Sequence, residues 1–257
     1  TYAFKDYALQ FLGNLFSTSL EMSPKKITVL GATSGDTGSA AIHSFKSKKD
    51  INVFILHPHN KVSPIQQKQM TTVIDKNIFN IAVDGNFDDC QKIVKELFVD
   101  DEIQESTSLT AVNSINWARL IAQVVYYFWA YLQTDKQQIN FIVPSGNFGN
   151  IFSAFVAKQM GLPIGHLHIA TNSNDILKSI VDTGEMKKKS VFQTYSPSMD
   201  IQVSSNFERQ IFESLNRDSK RVNEVFESFS SKGFYQFDDS VLALSLIHIS
   251  EPTRRVE

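Results

Sequence analysis

Two glycine-rich turns carry the residue types from which proteins build anion-binding sites. The first runs from Gly31 to Ser39 (GATSGDTGS), and the second runs from Pro144 to Asn150 (PSGNFGN). Each follows an apolar run typical of a strand and precedes a segment with helical periodicity. Glycine lets the backbone approach a ligand closely, and the N–H groups at a helix start attract anions. The turns predict phosphate or carboxylate binding, although ordinary strand-to-helix turns have similar compositions.

Hydroxyl side chains in the first turn add hydrogen-bond donors that can hold an anion; they belong to Thr33, Ser34 and Thr37. Two familiar phosphate-binding patterns do not fit this sequence. A P-loop needs Gly-Lys followed by Ser or Thr, and this tripeptide does not occur. The glycines of the first turn also lack the Gly-x-Gly-x-x-Gly spacing of a dinucleotide site. The turn therefore predicts an anion site of another kind.

A lysine close to the start of the chain, Lys5, lies between an aromatic residue and an acid just before a predicted helix. Taken alone, such a lysine is expected on the surface. A lysine amine can form a Schiff base with an aldehyde cofactor and can later act as a base. This chemistry needs the neutral amine, so its pKa must be lowered by burial or by a neighbouring positive charge.

The elements that must position these residues alternate along the chain. Apolar runs predict strands over residues 27–31, 52–56, 79–83, 109–112, 139–143 and 167–171. Helical periodicity predicts helices over residues 7–16, 37–45, 64–70, 87–98, 117–132 and 150–160. This alternation predicts an α/β fold with a mostly parallel sheet, in which ligands bind at the carboxyl ends of strands. After about residue 183 the pattern becomes irregular.

The composition sets broad limits on function. The chain has 257 residues, of which 42% are hydrophobic, which is enough for a substantial core. The net charge of −2 gives no broad basic field, so we expect no nucleic-acid partner. No apolar run approaches the roughly 20 residues of a membrane helix, so we also expect no membrane partner.

The cysteine and histidine residues give little indication of chemistry. One cysteine, Cys90, cannot form an internal disulfide, which fits a reducing compartment and a cytoplasmic location. Its acidic neighbours favour an inert thiol over a nucleophile. His57 and His59 flank a proline, but no third ligand has suitable spacing, so we expect no metal site.

Six segments, taken together and in order, resemble one enzyme family. They are TYAFKD at 1–6, ATSGDTGSAA at 32–41, SPIQQKQMTTV at 63–73, NSINWAR at 113–119, PSGNFGN at 144–150 and SPSMDIQVSSNFER at 196–209. They resemble the threonine synthases, and more closely the longer form found in fungi and many bacteria. The resemblance extends over residues 1–243, and six ordered motifs make it highly specific.

The resemblance implies the tryptophan-synthase-β-like fold, which is fold type II of the pyridoxal phosphate enzymes. This fold has two three-layer α/β/α parts with mostly parallel sheets. Residues 1–26 and 121–243 would belong to the larger cofactor-binding domain, and residues 27–120 would form the smaller α/β domain. The family's first and last segments are missing, so the chain resembles a piece truncated at both ends. Residues 244–257 fit no pattern and are expected to be a non-native or disordered tail.

For the cofactor, the resemblance implies pyridoxal 5′-phosphate bound as a Schiff base to Lys5. Its phosphate-binding loop corresponds to Gly146, Asn147, Phe148, Gly149 and Asn150. Asp36 belongs to the loop that lies against the cofactor ring and the substrate amino acid. The longer threonine synthases carry Asp at this position, so Asp36 is no departure from the family.

For the substrate, the resemblance implies O-phospho-L-homoserine, bound by Thr33, Ser34, Thr37, Asn113 and Arg119. Asn113 and Arg119 would help to bind its phosphate, and arginine suits this role because two of its N–H groups can reach one phosphate. Residues 206–209 are typical of the family, and a structural role and contact with the substrate fit them equally well. The oligomeric state cannot be read from the sequence.

The implied reaction converts O-phospho-L-homoserine and water to L-threonine and phosphate. One alternative is a related phospholyase that releases 2-oxobutyrate, and the product distinguishes the two. The intact PSGNFGN loop favours the synthase, because relatives with phospholyase activity have altered residues around it. Another alternative is a catalytically incomplete fragment or a degenerate relative kept for binding. The expected mark of the degenerate relative is loss of Lys5 or of the phosphate loop, but the sequence retains both. The incomplete fragment stays an alternative, because the family's C-terminal part, which completes the large domain, is missing.

Overall fold

The computed structural model describes residues 1–22, 25–113, 116–238 and 241. Contacts divide the chain into two compact units, Thr1–Gln123 and Val124–Glu257. The assignment of residues 1–26 and 121–243 to one larger domain, with residues 27–120 as the smaller one, stays a prediction. The tail at residues 244–257 lies outside the described residues.

The first unit alternates strands and helices as predicted. Its helices are α1 (Asp6–Met22), α2 (Asp36–Phe45), α3 (Pro64–Thr71), α4 (Phe87–Val99), α5 (Asp101–Ser106) and the first part of α6 (Trp117–Leu132). Its strands are β1 (Ile27–Ala32), β2 (Ile51–Pro58), β3 (Ile78–Val83) and β4 (Ser108–Ala111). The strands form one sheet in the order β3-β2-β1-β4, and every pair is parallel.

Helices cover both faces of this sheet, because strand side chains alternate between the faces. On β2, Val53 and Ile55 face a core shared with α1, α2 and α3. Phe54 and Leu56 face the opposite way and pack with α4, where Cys90 is fully buried. The result is the predicted three-layer arrangement.

The second unit contains a parallel strand pair and several shorter elements. Its elements are the rest of α6, β5 (Ile139–Pro144), α7 (Gly149–Gln159), β6 (Ile164–Ala170), α8 (Ile176–Thr183), β7 (Glu185–Lys187), a 3-10 helix (Pro197–Met199), α9 (Phe207–Ser214), α10 (Ser219–Lys232) and β8 (Phe234–Gln236). Strands β5 and β6 are parallel, whereas β7 and β8 are antiparallel. The predicted α/β fold with mostly parallel sheets is confirmed.

The glycine-rich turns lie at the carboxyl ends of β1 and β5, as the alternating pattern predicts. Each turn leads directly into a helix, α2 in the first unit and α7 in the second. Within the described ranges, no helix combines the length and the apolar character that crossing a membrane requires.

Candidate active site

The turn after β1 is built around a buried hydroxyl. Thr33 is 2% exposed, and its Oγ1 accepts hydrogen bonds from Gly35 N at 2.9 Å and Gly38 N at 2.8 Å. These N–H groups belong to the turn and the first residues of α2, where no intrahelical acceptor exists. Thr33 therefore shapes the turn itself. Ser34, the next residue, is half-buried.

Gly35 allows helix α3 to pack against this turn. Its φ of 140° is a conformation that side-chain-bearing residues rarely adopt, and a Cβ there would lie 2.0 Å from Gln66 Oε1. The Gln66 amide donates from Nε2 to Asp36 Oδ1 and accepts at Oε1 from Ser63 Oγ at 3.0 Å. Gln66 thus orients the Asp36 carboxylate, a role that sequence reasoning missed although Gln66 lies in a recognised motif.

Lys5 has the electrostatic surroundings that an amine nucleophile requires. It immediately precedes α1, and its carbonyl accepts the Leu9 N–H at 3.0 Å. Burial and the positive charge of Arg119 lower the pKa of Lys5 to about 8, with the negative charge of Asp36 opposing the shift. About a tenth of the amine is therefore neutral at pH 7, compared with less than about a thousandth for an unperturbed lysine. The first unit brings Lys5, Asp36 and Arg119 into one electrostatic group.

Arg119, on α6, is 2% exposed and is held by backbone and side-chain acceptors. One terminal nitrogen, Nη1, donates to Val112 O at 2.5 Å, and Nη2 lies 3.4 Å from Thr37 Oγ1. The second contact joins Arg119 to the first turn. A buried guanidinium oriented in this way can bind an anion with directed hydrogen bonds.

Asn113 lies beside the carboxyl end of β1. A Cβ built on Gly31 would be 3.4 Å from Asn113 Oδ1. This oxygen is buried and accepts no hydrogen bond from the part of the chain that the structure describes. Buried polar atoms usually have partners, so this amide is a candidate ligand-binding group. Ser114 and Ile115, from the same motif, lie outside the described residues.

In the second unit, Asn150 makes three hydrogen bonds that hold the predicted phosphate loop in place, and it lies in the first turn of α7. Its Oδ1 accepts a hydrogen bond from Ser145 Oγ at 2.5 Å, and its Nδ2 donates to Pro144 O. Its backbone carbonyl accepts from the hydroxyl of Tyr127 at 2.7 Å. The sequence predicts that α7 begins at residue 150, whereas the structure begins it at Gly149.

Phe148 sets the path of the loop into α7. It has a φ of 63°, in the left-handed region, and is fully buried. Its ring packs edge-on against Phe207, with 5.1 Å between ring centroids. This packing opposes the strain of the left-handed backbone. Gly149 follows as the first helical residue, so the loop presents a helix N-terminus, which attracts anions.

The 194–206 segment packs on the same loop, and sequence reasoning assigned it no role. Asn147 Oδ1 accepts hydrogen bonds from Ser205 N at 2.9 Å and Ser205 Oγ at 2.8 Å. A Cβ built on Gly146 would lie 3.0 Å from Met199 Cα. The SPSMDIQVSSNFER motif was the available signal, but nothing in it indicates which loop it contacts.

Other candidate chemistry finds little support. Among the described residues, no group of three or more His, Cys, Asp or Glu side chains could hold a metal ion. Burial raises the pKa of the Cys90 thiol, and the charge of Asp89 acts in the same direction. A thiol with a raised pKa is a poor nucleophile.

Comparison with known proteins assigns the family. A model of the pyridoxal-phosphate dependent enzymes matches residues 1–228 of the chain. The chain belongs to this family. It is 55% identical over 224 residues to the threonine synthase of Eremothecium gossypii, covering 82% of the chain and 44% of that protein. It is 48% identical over 241 residues to the threonine synthase of Pseudomonas aeruginosa, covering 93% of the chain and 51% of that protein.

Solved structures agree with this family assignment. A pyridoxal-phosphate-bound threonine synthase from Brucella melitensis matches with a TM-score of 0.89 and 45% identity, covering 97% of the chain and 54% of that structure. The predicted resemblance to threonine synthases and the predicted fold type are confirmed. The chain spans about half the length of these relatives, which agrees with the prediction that the sequence is part of a longer enzyme.

The described residues fit the family's cofactor. An aldehyde needs a neutral amine, and Lys5 has a pKa lowered to about 8. A phosphate is favoured by N–H donors at a helix start, and α7 begins at Gly149, within the predicted phosphate loop.

Proposed function

We propose that the protein to which this chain belongs is a threonine synthase. It would convert O-phospho-L-homoserine and water to L-threonine and phosphate, with pyridoxal 5′-phosphate as the cofactor. Identity of 48–55% to threonine synthases supports this function. The observation on the molecule itself that carries it is the grouping of Lys5 with Asp36 and with the buried Arg119, which also contacts the first turn at Thr37. Because the chain spans about half of these relatives, the activity is proposed for the whole protein.

Lys5 would form the covalent link to the cofactor. When bound, pyridoxal phosphate supplies an aldehyde that condenses with amines and a ring that accepts electron density from the reacting carbons. After the substrate displaces it, the Lys5 amine would take up the α proton at Nζ. Burial and the Arg119 charge keep this amine partly neutral, which both roles require.

The loop at Gly146, Asn147, Phe148, Gly149 and Asn150 would hold the phosphate of the cofactor. The loop leads into the N-terminus of α7, where backbone N–H groups and the helix dipole favour a charged phosphate. Asp36, oriented by Gln66, would lie against the cofactor ring. Its negative charge would favour the protonated form of Lys5 and so raise the pKa of that amine.

Arg119 and Asn113 would bind the phosphate of the substrate. Arg119 is already oriented by Val112 and Thr37, so little side-chain freedom would be lost on binding. Its positive charge would stabilise the leaving phosphate as that group departs with its electrons. Ser34 and Thr37 would contact the amino-acid end, and Thr33 would shape the turn that carries them.

Cofactor attachment can be tested in the full-length protein without measuring turnover. Borohydride reduction followed by peptide mass spectrometry should find the cofactor fixed on the peptide that contains Lys5. Lys136, an exposed lysine, serves as the control position. Cofactor fixed on another lysine, or unchanged labelling in a Lys5→Ala variant, contradicts the assignment.

The product separates the synthase from the phospholyase. With O-phospho-L-homoserine and water, the synthase releases threonine and phosphate in equal amounts, whereas the phospholyase releases 2-oxobutyrate, ammonia and phosphate. We expect threonine, because the identity to named threonine synthases reaches 55%. If neither product forms while the cofactor still attaches at Lys5, the protein is the binding-only relative. A small-molecule substrate is part of this proposal, and a cytoplasmic location stays a prediction.

A further inference from the structure

The loop residue Asn147 is held by hydrogen bonds from residues far along the sequence. Ser205 donates twice to its side-chain Oδ1, from N at 2.9 Å and from Oγ at 2.8 Å. Asn206 donates twice to its backbone carbonyl, from N at 3.2 Å and from Nδ2 at 3.2 Å. Both oxygens of Asn147 are therefore fixed by two neighbouring residues of the 194–206 segment.

The fixed carbonyl determines where the next backbone donor points. In a trans peptide, the C=O of one residue and the N–H of the following residue point in opposite directions. The chain has no cis peptide bond among its described residues. Because the Asn147 carbonyl points toward Asn206, the N–H of Phe148 points away from it. That N–H immediately precedes α7, at the end of the helix where anions bind.

The 194–206 segment is itself anchored close to the end of β6. Asp200 Oδ1 accepts hydrogen bonds from Asn172 Nδ2 at 2.8 Å and Asn174 Nδ2 at 3.0 Å. Its carboxylate also accepts from Thr194, through N at 2.9 Å and Oγ1 at 2.7 Å. Asn172 and Asn174 are 4% and 3% exposed, so these charge-assisted bonds are shielded from water.

The segment also lies in direct contact with the loop backbone. A Cβ on Gly146 would be 3.0 Å from Met199 Cα and 3.2 Å from Met199 O. A side chain at residue 146 would force two backbones apart. The loop and the 194–206 segment therefore pack together. Asp200 holds the segment in place through its hydrogen bonds, and Ser205 and Asn206 make the polar contacts with the loop.

From these contacts we infer that Ser205 and Asn206 are positioning residues that give the loop at 146–150 its selectivity for a phosphate group. They act through Asn147, whose orientation directs the Phe148 N–H that precedes α7. The inference rests on the proposed function, in which this loop holds the cofactor phosphate. It adds a residue pair and a mechanism that the loop motif alone does not contain.

The test compares pyridoxal phosphate with pyridoxal, which has the same aldehyde but no phosphate. Both affinities are measured by equilibrium binding to the cofactor-free, full-length protein. Ser205 is exposed, so Ser205→Ala removes one hydrogen bond with little risk to folding. We expect pyridoxal phosphate to bind about three- to tenfold more weakly, the loss typical of one hydrogen bond, while pyridoxal affinity changes less than about twofold.

Three further variants complete the design. Asn206→Ala should weaken pyridoxal phosphate binding more than Ser205→Ala does, because it removes a fully buried donor. Ser205→Thr keeps the hydroxyl and should restore the wild-type selectivity. Ser230→Ala removes an exposed serine from α10 and should leave both affinities unchanged.

Each outcome has a definite meaning. A selective loss for pyridoxal phosphate in Ser205→Ala, restored by Ser205→Thr, supports the positioning role. Unchanged affinities, or equal losses for both ligands, overturn it, because a merely structural role would not distinguish them. If the wild-type protein shows no preference for pyridoxal phosphate over pyridoxal, the phosphate role of the loop fails first, and the inference fails with it.

Discussion

At the scale of single residues, the charge state of Lys5 is the most informative property. Its pKa of about 8 arises from burial and from Arg119, and Asp36 opposes the shift. The neutral fraction of the amine should therefore rise through about pH 8, well below the pH at which an unperturbed lysine loses its proton. In the cofactor-free protein, competitive acylation followed by mass spectrometry should give half-maximal labelling of Lys5 near this pH.

Two substitutions should move this labelling profile in opposite directions. Arg119→Gln removes a positive neighbour and should raise the pKa of Lys5, because the protonated amine loses a repulsive partner. Asp36→Asn removes the negative neighbour and should lower the pKa further, and asparagine can still accept the Gln66 hydrogen bond. Labelling of exposed Lys136 calibrates the reagent in each sample. Shifts of the same sign in both variants would contradict this electrostatic account.

Gly35 should tolerate no side chain, for two separable reasons. Its φ of 140° strains any other residue, and a Cβ would lie 2.0 Å from Gln66 Oε1. Gly161 has a φ of 99° and nothing within 4 Å of its Cβ position, so a side chain there has the cost of the strained backbone but no steric clash. We expect Gly161→Ala to lower the free energy of unfolding by about 1–2 kcal/mol and Gly35→Ala to lower it by more. Urea denaturation measures both values, and a Gly35→Ala cost no larger than that of Gly161→Ala would rule out the contact with Gln66.

At the scale of elements, the sequence predicts those that have strong periodicity. The predicted helix at 117–132 matches α6, and the strand predicted at 27–31 is one residue shorter than β1. The prediction ends the first helix at residue 16, whereas α1 continues to Met22. Helices α8, α9 and α10 were not predicted, although Gly184 and Gly233 end two of them in left-handed conformations. Their apolar residues are separated by polar connecting segments, and whether such segments become helical depends mainly on tertiary packing.

The start of α2 depends on the hydroxyl of Thr33 more than on local helix propensity. Replacing Thr33 with valine keeps the shape but leaves the N–H groups of Gly35 and Gly38 without their acceptor. We expect the free energy of unfolding to fall by about 1–3 kcal/mol, the cost of unsatisfied buried donors. Hydrogen exchange at the start of α2 should accelerate by a corresponding factor. Thr33→Ser retains the hydroxyl and should keep exchange slow, so equally fast exchange in both variants would argue against the hydrogen bonds that Thr33 accepts from Gly35 and Gly38.

At the scale of the whole molecule, the sequence identifies more of the candidate site than it explains. The motifs indicate Lys5, Asp36 and Arg119 because each lies in a recognisable segment. The contacts of Gln66 with Asp36, and of Ser205 with Asn147, join residues 30 and 58 positions apart. Periodicity describes only local geometry, so pairings at such separations emerge only from the fold.

The two compact units each have a buried core, which allows a matched test of their independence. Ile55 on β2 and Ile169 on β6 are both 1% exposed, and each lies in a parallel sheet of its own unit. Substitution of either residue by alanine should lower the free energy of unfolding by about 2–5 kcal/mol through the lost burial and the cavity left behind.

Hydrogen exchange with mass spectrometry should then show faster exchange in β1–β4 for Ile55→Ala, and in β5, β6 and α7 for Ile169→Ala. Because α6 runs through the boundary at Gln123, its amides are the ones that should respond to both changes. A uniform acceleration along the whole chain in either variant would mean that the protein opens as one cooperative unit, and the division into two units would then have no energetic counterpart.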